Sequence, residues 1–117
     1  MATLADLSRA ALALPGVLGE GVDFSVGKTA LCWTYLARAT PKGRREAVPG
    51  VVAIACDLPR KDMLTDAAPD RFFDDDHYRG YPAVLVRLAM VDEAELQGLL
   101  TAALELKTAP RPRRKRA

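Results

Sequence analysis

The clearest strand signal in the chain is the stretch AVLVRLAM, residues 83–90. Val84, Val86 and Leu88 are spaced two residues apart, and this spacing places side chains on the same face of a β-strand. We therefore expect a strand over residues 83–90, with these three side chains directed to the same side.

A helix is predicted directly after this strand. Asp92 is a good N-cap residue, and Glu95 stands three positions later, where a capping box places an acidic side chain. The residues that follow repeat at helical spacing and form one apolar face: Leu96, Leu99, Leu100, Ala103 and Leu104. Two prolines at positions 110 and 112 cannot continue a helix, so we expect it to end near Lys107.

Two further helices and four further strands are predicted upstream. Residues 3–14 have helical periodicity and begin with Thr3 and Asp6 in a capping arrangement. Asp57 caps a shorter helix that runs to about Ala67. Strands are predicted at residues 22–26, 30–36, 51–56 and 72–73, and loops at Gly19 to Gly21 and over residues 38–50.

This order predicts an α+β fold with the sequence α-β-β-β-α-β-β-α. Short turns between strands favour an antiparallel sheet, and the amphipathic terminal helices can cover one of its faces. We expect a two-layer domain over residues 1–107, with the other sheet face left as a binding surface, and a basic, disordered tail over residues 108–117.

Composition and length agree with one small globular domain. The chain has 117 residues, of which 50% are hydrophobic and 27% are charged. No apolar run reaches the ~18–20 residues of a membrane span, and the first residues lack the pattern of a signal peptide. A cytoplasmic protein with no membrane association is therefore expected.

The positive charge of the chain is concentrated at its C-terminus. The formal net charge is +2, and the last seven residues hold five basic side chains and no acid. Without those five, 12 basic residues remain against 15 acidic ones, so the body of the domain is net negative. Basic tails of this kind commonly contact nucleic acids or other anions.

A second group of basic residues lies in the predicted loop over residues 38–50, and Arg79 lies near the aromatic residues Tyr78 and Tyr81. Phosphate contacts from such residues supply affinity without reading sequence, and aromatic rings beside cations can stack on bases. The loop could equally be solvated surface, and the tyrosines could be buried anchors of the last strand. The predicted nucleic-acid-binding residues are Arg38, Lys42, Arg44, Arg45, Arg79, Arg111, Arg113, Arg114, Lys115 and Arg116.

No catalytic, cofactor or metal site is predicted. Gly27-Lys28-Thr29 is one residue out of register with a phosphate-binding loop and better fits a hairpin turn. The run from Asp74 to His77 lacks metal-ligand spacing, and His77 has no recognisable nucleophile as a partner. Cys32 and Cys56 lie in apolar runs and are expected to be buried, reduced thiols.

The segment from Phe72-Phe73 through His77, Tyr78, Gly80 and Tyr81 to Leu88 resembles the MmcQ/YjbR family of small bacterial proteins. Weaker matches are Leu14-Pro15-Gly16, Val26-Gly27-Lys28 and Cys56-Asp57-Leu58-Pro59, and the resemblance covers roughly residues 4–107. Two features depart from it: Ala83 stands where the family often has tryptophan, and both the basic loop and the tail are longer.

The resemblance implies a compact α+β fold, similar to frataxin-like and secretion-chaperone arrangements. It also implies DNA binding, because the family's fold resembles a double-wing module; fold likeness alone does not fix a function. The expected function is thus non-enzymatic binding of nucleic acid, DNA in particular. The alternatives are a protein-interaction domain and an enzyme centred on His77 and the neighbouring aspartates.

Overall fold

The computed structural model describes residues 2–38, 45–75 and 78–108. Within these residues, three α-helices and one six-stranded sheet form an α+β fold, as the sequence predicts. The elements are α1 (Leu4–Leu12), β1 (Val17–Glu20), β2 (Asp23–Val26), β3 (Thr29–Arg38), β4 (Arg45–Ala55), α2 (Leu58–Ala67), β5 (Phe72–Phe73), β6 (Ala83–Arg87) and α3 (Glu93–Thr108).

The strands are ordered β1-β2-β3-β4-β6-β5, and every neighbouring pair is antiparallel. The predicted antiparallel sheet is therefore confirmed. In the centre, β4 pairs with β6 from Val51 opposite Arg87 to Ala55 opposite Ala83. Every residue of β6 except Arg87 is buried, in agreement with the apolar run that predicted this strand.

Helices α1 and α3 cover one face of the sheet and form the main hydrophobic core with it. Leu7 of α1 and Leu96 and Leu100 of α3 are fully buried against strand residues that include Phe24 and Ile54. Each such side chain contributes roughly 1.5–3 kcal/mol by leaving water. The terminal helices thus occupy one face of the sheet, as predicted.

All three predicted helix starts carry the expected caps. Thr3 and Asp6 form a reciprocal capping box at α1, and the Asp57 carboxylate accepts a hydrogen bond from the Arg60 amide at 2.8 Å. At α3, the Asp92 carboxylate accepts from the Glu95 amide at 2.8 Å, while the Glu95 carboxylate accepts from the Asp92 amide at 3.4 Å. These side chains satisfy amides that have no partner inside the helix.

The prediction of a loop at Gly19 to Gly21 is wrong, because strand β1 occupies residues 17–20. Glu20 pairs with Asp23, so Gly21 and Val22 form a two-residue turn between β1 and β2. Gly21 has a φ of +65°, a conformation that glycine adopts without strain. The glycines therefore shape a hairpin, and the order of elements gains one strand over the prediction.

The prediction of a long loop over residues 38–50 is also wrong, because β4 begins at Arg45. Thr34 pairs with Val52 and Leu36 with Ala47, so one residue of β3 faces four residues of β4. This irregularity contains Pro49, which has no amide to donate, and Gly50, which has a φ of +78°. Two residues that normally end a strand are accommodated in a bulge within it.

The strand predicted over residues 83–90 is shorter than expected. It ends at Arg87, and Leu88–Met90 form one turn of 3-10 helix. The ladder with β4 also stops at Arg87, opposite Val51, where the bulge in β4 begins. Leu88 is nevertheless buried in the main core, and its carbonyl accepts a hydrogen bond from the Ala2 amide at 3.0 Å.

Candidate nucleic-acid interface

The far ends of β3 and β4 form a two-stranded ribbon that extends past the other strands. Here Leu36 pairs with Ala47, Ala37 with Glu46, and Arg38 with Arg45. Strand β2 pairs with β3 only up to Cys32, and β6 pairs with β4 only from Val51 onward. We call residues 36–38 and 45–47 the wing, which at about 3.3 Å per residue projects roughly 10 Å.

Two of the predicted basic residues lie in register at the end of the wing. Arg38 is the backbone partner of Arg45, and the connecting segment between them carries Lys42 and Arg44 in its sequence. Those two residues and the predicted tail contacts Arg111, Arg113, Arg114, Lys115 and Arg116 lie outside the described residues, and Arg38 and Arg45 are described in their backbone only. The wing and its connection hold four basic residues and one acid, Glu46.

The side chain of Asp23 joins the start of β2 to β3 close to the base of the wing. It accepts hydrogen bonds from the Thr34 amide and the Thr34 hydroxyl, each at 3.2 Å. Strand β2 begins at Asp23, so its carboxylate provides the acceptor that a further strand residue would otherwise supply. This contact lies two residues before the wing begins.

An aromatic cluster lies on the sheet face opposite α1 and α3. Tyr35 packs edge-to-face against Phe73 and Tyr78, each with ring centroids 5.9 Å apart, and Trp33 packs in the same way against Tyr81 at 6.3 Å. The Trp33 indole N–H donates to the Tyr78 hydroxyl at 3.0 Å. The chain's only tryptophan and all three of its tyrosines are therefore in this cluster. Ala37 of the wing and Val48, which lies in the bulge of β4, pack against this cluster.

Residues 78–81, which belong to the stretch that resembles the MmcQ/YjbR family and are called the signature segment below, form one edge of this cluster. Of the two interpretations of the tyrosines, the buried anchor applies to Tyr78, which is only 7% exposed. Tyr81, in contrast, is 49% exposed. Gly80 has a φ of +76°, which favours glycine, and Arg79 is exposed. His77 lies outside the described residues. The predicted uncovered face of the sheet is therefore partly covered by this segment.

Lys61 is a functional candidate that the sequence analysis missed. It is 2% exposed, the only buried charged residue among those described, and its Nζ donates to the Tyr78 carbonyl at 2.7 Å and the Tyr81 carbonyl at 3.0 Å. An ion pair with Asp74 at 3.0 Å completes its three donor positions. No sequence signal distinguishes this lysine, because its partners are carbonyl groups 17 and 20 residues away.

The aspartates beside the signature segment have structural partners. Asp74 pairs with Lys61, and Asp75 accepts from the Tyr35 hydroxyl and from the Tyr78 amide. Among the residues that the structure describes, no group of three His, Cys, Asp or Glu side chains is positioned to hold a metal ion. Asp76 is outside those residues.

Gly27 and Lys28 form a two-residue turn between β2 and β3, since Val26 pairs with Thr29. Gly27 has a φ of +60°, as expected for the first central residue of a hairpin turn. The hairpin interpretation of this segment is therefore confirmed. A strand follows the turn, so no helix start is available there to bind a phosphate.

Both cysteines are buried free thiols, as predicted. Burial raises the pKa of Cys32 to about 12 and that of Cys56 to about 11. At pH 8 the folded chain should therefore react with iodoacetamide at least about a hundredfold more slowly than the urea-unfolded chain, because the thiolate is the reacting form. Mass spectrometry of quenched samples measures both rates, and one cysteine alkylated equally fast in the two states would contradict this.

Within the described ranges, no helix is both long and apolar enough to cross a membrane. No protein-family model matches the chain, and no solved structure gives a significant match. The chain is similar to the uncharacterized protein Rv2570 of Mycobacterium tuberculosis and the uncharacterized protein Mb2600 of Mycobacterium bovis. Each is 34% identical over 114 residues, covering 88% of this chain and 86% of the relative. At this identity and coverage, the chain belongs to the same protein family as these mycobacterial proteins.

Proposed function

We propose that this protein binds nucleic acid, DNA in particular, without catalysing a reaction, in the manner implied by its resemblance to the MmcQ/YjbR family. The observation that carries the proposal is the wing, a two-stranded ribbon that leaves the sheet with Arg38 opposite Arg45 at its end. The major groove of B-DNA, ~12 Å wide, admits a two-stranded ribbon. The wing therefore enters the groove, and its basic residues contact the flanking phosphates.

The aromatic cluster contacts the base of the wing. Ala37 and Val48 pack against the cluster, so the ribbon is attached to the sheet at its base. The half-exposed Tyr81 ring at the edge of this cluster can contact a sugar or an unpaired base. The basic C-terminal tail then adds phosphate contacts that strengthen binding without selecting a sequence.

A non-enzymatic role fits the chemistry of the described residues. The two thiols are buried with raised pKa values, which removes them as nucleophiles near neutral pH. The buried ammonium of Lys61 has all three donors occupied by Asp74 and two carbonyls. The two cysteines and Lys61 are therefore buried groups of the fold, in contrast to the exposed position of a catalytic side chain.

The test is a salt titration of DNA binding by the full chain, by a variant ending at Thr108 and by an Arg38→Gln/Arg45→Gln variant. Each phosphate contact adds about 0.9 to the slope of log affinity against log salt for B-DNA. With 0.9 for each cation lost, we expect the tail variant to lose about 4.5 slope units and the wing variant about 1.8. Fluorescence anisotropy of a labelled 20-base-pair duplex between about 50 and 200 mM salt measures these slopes.

A variant with Lys28→Gln and Arg60→Gln is the matched control, since it removes two exposed cations away from the wing. It should retain the slope of the full chain to within about half a unit, which is less than one phosphate contact. Absence of binding by the full chain at the lowest salt would refute the proposed function. Equal losses in the control and the wing variant would show that net charge, not the wing, produces the binding.

A further inference from the structure

An open groove lies between α2 and α3, on the side of the domain where β5 ends the sheet. Its volume is about 390 Å³, and Phe72 and Leu99 lie among its lining residues with Met63 and Leu64 of α2. Helix α2 packs on β5 and β6, whereas α3 packs on α1, β3 and β4, so the two helices diverge at this point. The groove shares no residue with the wing or the aromatic cluster.

Helix α2 presents Met63 and Leu64 to the groove, and Leu64 also packs against the main core. The only fully buried residue of α2 is Lys61, which points to the signature segment, while Met63 is 56% exposed and Leu64 is only partly buried. A methionine left in water forgoes most of the ~1.5–3 kcal/mol that burying it would contribute. The apolar surface of α2 is therefore available to a ligand.

Gly98 widens the groove from the opposite side. It lies in the middle of α3, where glycine costs about 1 kcal/mol relative to alanine. A Cβ atom at this position would meet no atom within 4 Å, so close packing within the fold does not require the glycine. Without a side chain, Gly98 leaves the space beside Leu99 and Phe72 open.

Charge selects the kind of ligand that the groove accepts. Arg60 in the first turn of α2 and Arg71, four residues after its end, line the groove, and Glu95 is the acid among its lining residues. Arg71 is already paired with Glu95, with the guanidinium nitrogen 2.8 Å from the carboxylate oxygen. Arg60 is exposed and forms no ion pair within the described residues, so the groove retains one positive charge beside an apolar floor.

We propose that this groove binds a small amphipathic carboxylate. The carboxylate pairs with the Arg60 guanidinium, and the apolar body lies over Met63, Leu99 and Phe72 beside Gly98. The volume of about 390 Å³ is within the range of small-molecule sites, roughly 300–1,000 Å³. A protein segment would need to bury about 1,000 Å² or more for stable binding, and a groove of this size does not offer that area.

The experiment titrates the full chain with decanoate and with 4-phenylbutyrate and follows the amide resonances by NMR. Saturable shifts are expected at residues lining the groove. Gly98→Leu fills the space and should weaken decanoate binding at least about tenfold, a change of about 1.4 kcal/mol. Helix propensity favours leucine over glycine, so this variant should fold at least as stably as the parent chain.

Ala94→Leu is the matched control, because it adds the same side chain at an exposed position of α3 outside the groove and should leave binding unchanged. Arg60→Gln should weaken decanoate binding but not decanol binding, whereas Lys28→Gln should affect neither. The proposal is overturned if neither carboxylate gives saturable shifts, if Gly98→Leu binds as the parent does, or if decanol binds the parent as tightly as decanoate.

Discussion

Replacing Lys61 by methionine is expected to lower the free energy of unfolding by about 2–4 kcal/mol. The variant loses the bonds to the Tyr78 and Tyr81 carbonyls and leaves Asp74 without its cation. Each carbonyl retains one backbone hydrogen bond, and the Asp74 side chain is 32% exposed, so the loss stays below that of a fully buried broken pair. Urea unfolding followed by circular dichroism measures the difference.

Two controls separate the bonds of Lys61 from its charge. Asp74→Asn keeps the lysine and both carbonyl bonds, so we expect a loss of about 1 kcal/mol. Lys28→Met makes the same substitution at an exposed turn and should change stability by less than about 0.5 kcal/mol. A Lys61→Met variant as stable as Lys28→Met would show that this buried lysine does not hold the signature segment.

Lys61 also controls the surroundings of the chain's single tryptophan. The Trp33 indole N–H is bonded to Tyr78, whose carbonyl Lys61 holds. In folded Lys61→Met, the emission of Trp33 should therefore move to longer wavelength as the indole becomes more exposed to water. Emission identical to that of the parent chain would show that contacts other than those of Lys61 hold the signature segment in place.

Replacing Gly19 by alanine is expected to cost about 3 kcal/mol or more. Gly19 has a φ of +149°, and an added Cβ would lie 2.1 Å from the Asp23 carbonyl oxygen and 2.8 Å from the Phe24 Cα. Backbone strain of about 1–3 kcal/mol adds to an overpacking cost of similar size. Because both contacts are with backbone, no side-chain rotation relieves them, and the β1–β2 hairpin has to distort.

Gly21→Ala provides the matched comparison in the same hairpin. Gly21 also has a positive φ, +65°, but an added Cβ would meet nothing within 4 Å. Its substitution by alanine therefore costs only the strain of a side chain at positive φ, about 1–2 kcal/mol. Urea unfolding of the two variants gives the difference directly, and equal losses would mean that the close approach to Asp23 has no energetic consequence.

Local sequence signals predicted most of the fold. The caps at Thr3, Asp57 and Asp92 and the apolar periods of α3 and β6 act between residues close in sequence, so a single sequence contains them. Pro49 and Gly50 misled the prediction, because a bulge accommodates them only when β3 lies alongside. Gly19 misled it for the same reason: its conformation depends on a cross-strand neighbour.

The candidate site was predictable only in its composition. The basic residues Arg38 and Arg45 were identified from charge alone, while their placement opposite each other on a ribbon depends on the register of β3 and β4. The aromatic cluster joins Trp33 and Tyr35 to Phe73 and Tyr78 across about forty residues of chain. Such pairings depend on the order of strands in the sheet, which propensity and spacing do not specify.

The two outer strands of the sheet differ in the length of backbone that they offer to another molecule. Strand β5 has two residues and offers almost no ladder to another molecule, whereas β1 has four residues and bears Leu18, which is 74% exposed. An edge strand presents unpaired backbone N–H and C=O groups to which another chain can add. Of these two outer strands, β1 therefore offers the longer set of such groups to another molecule.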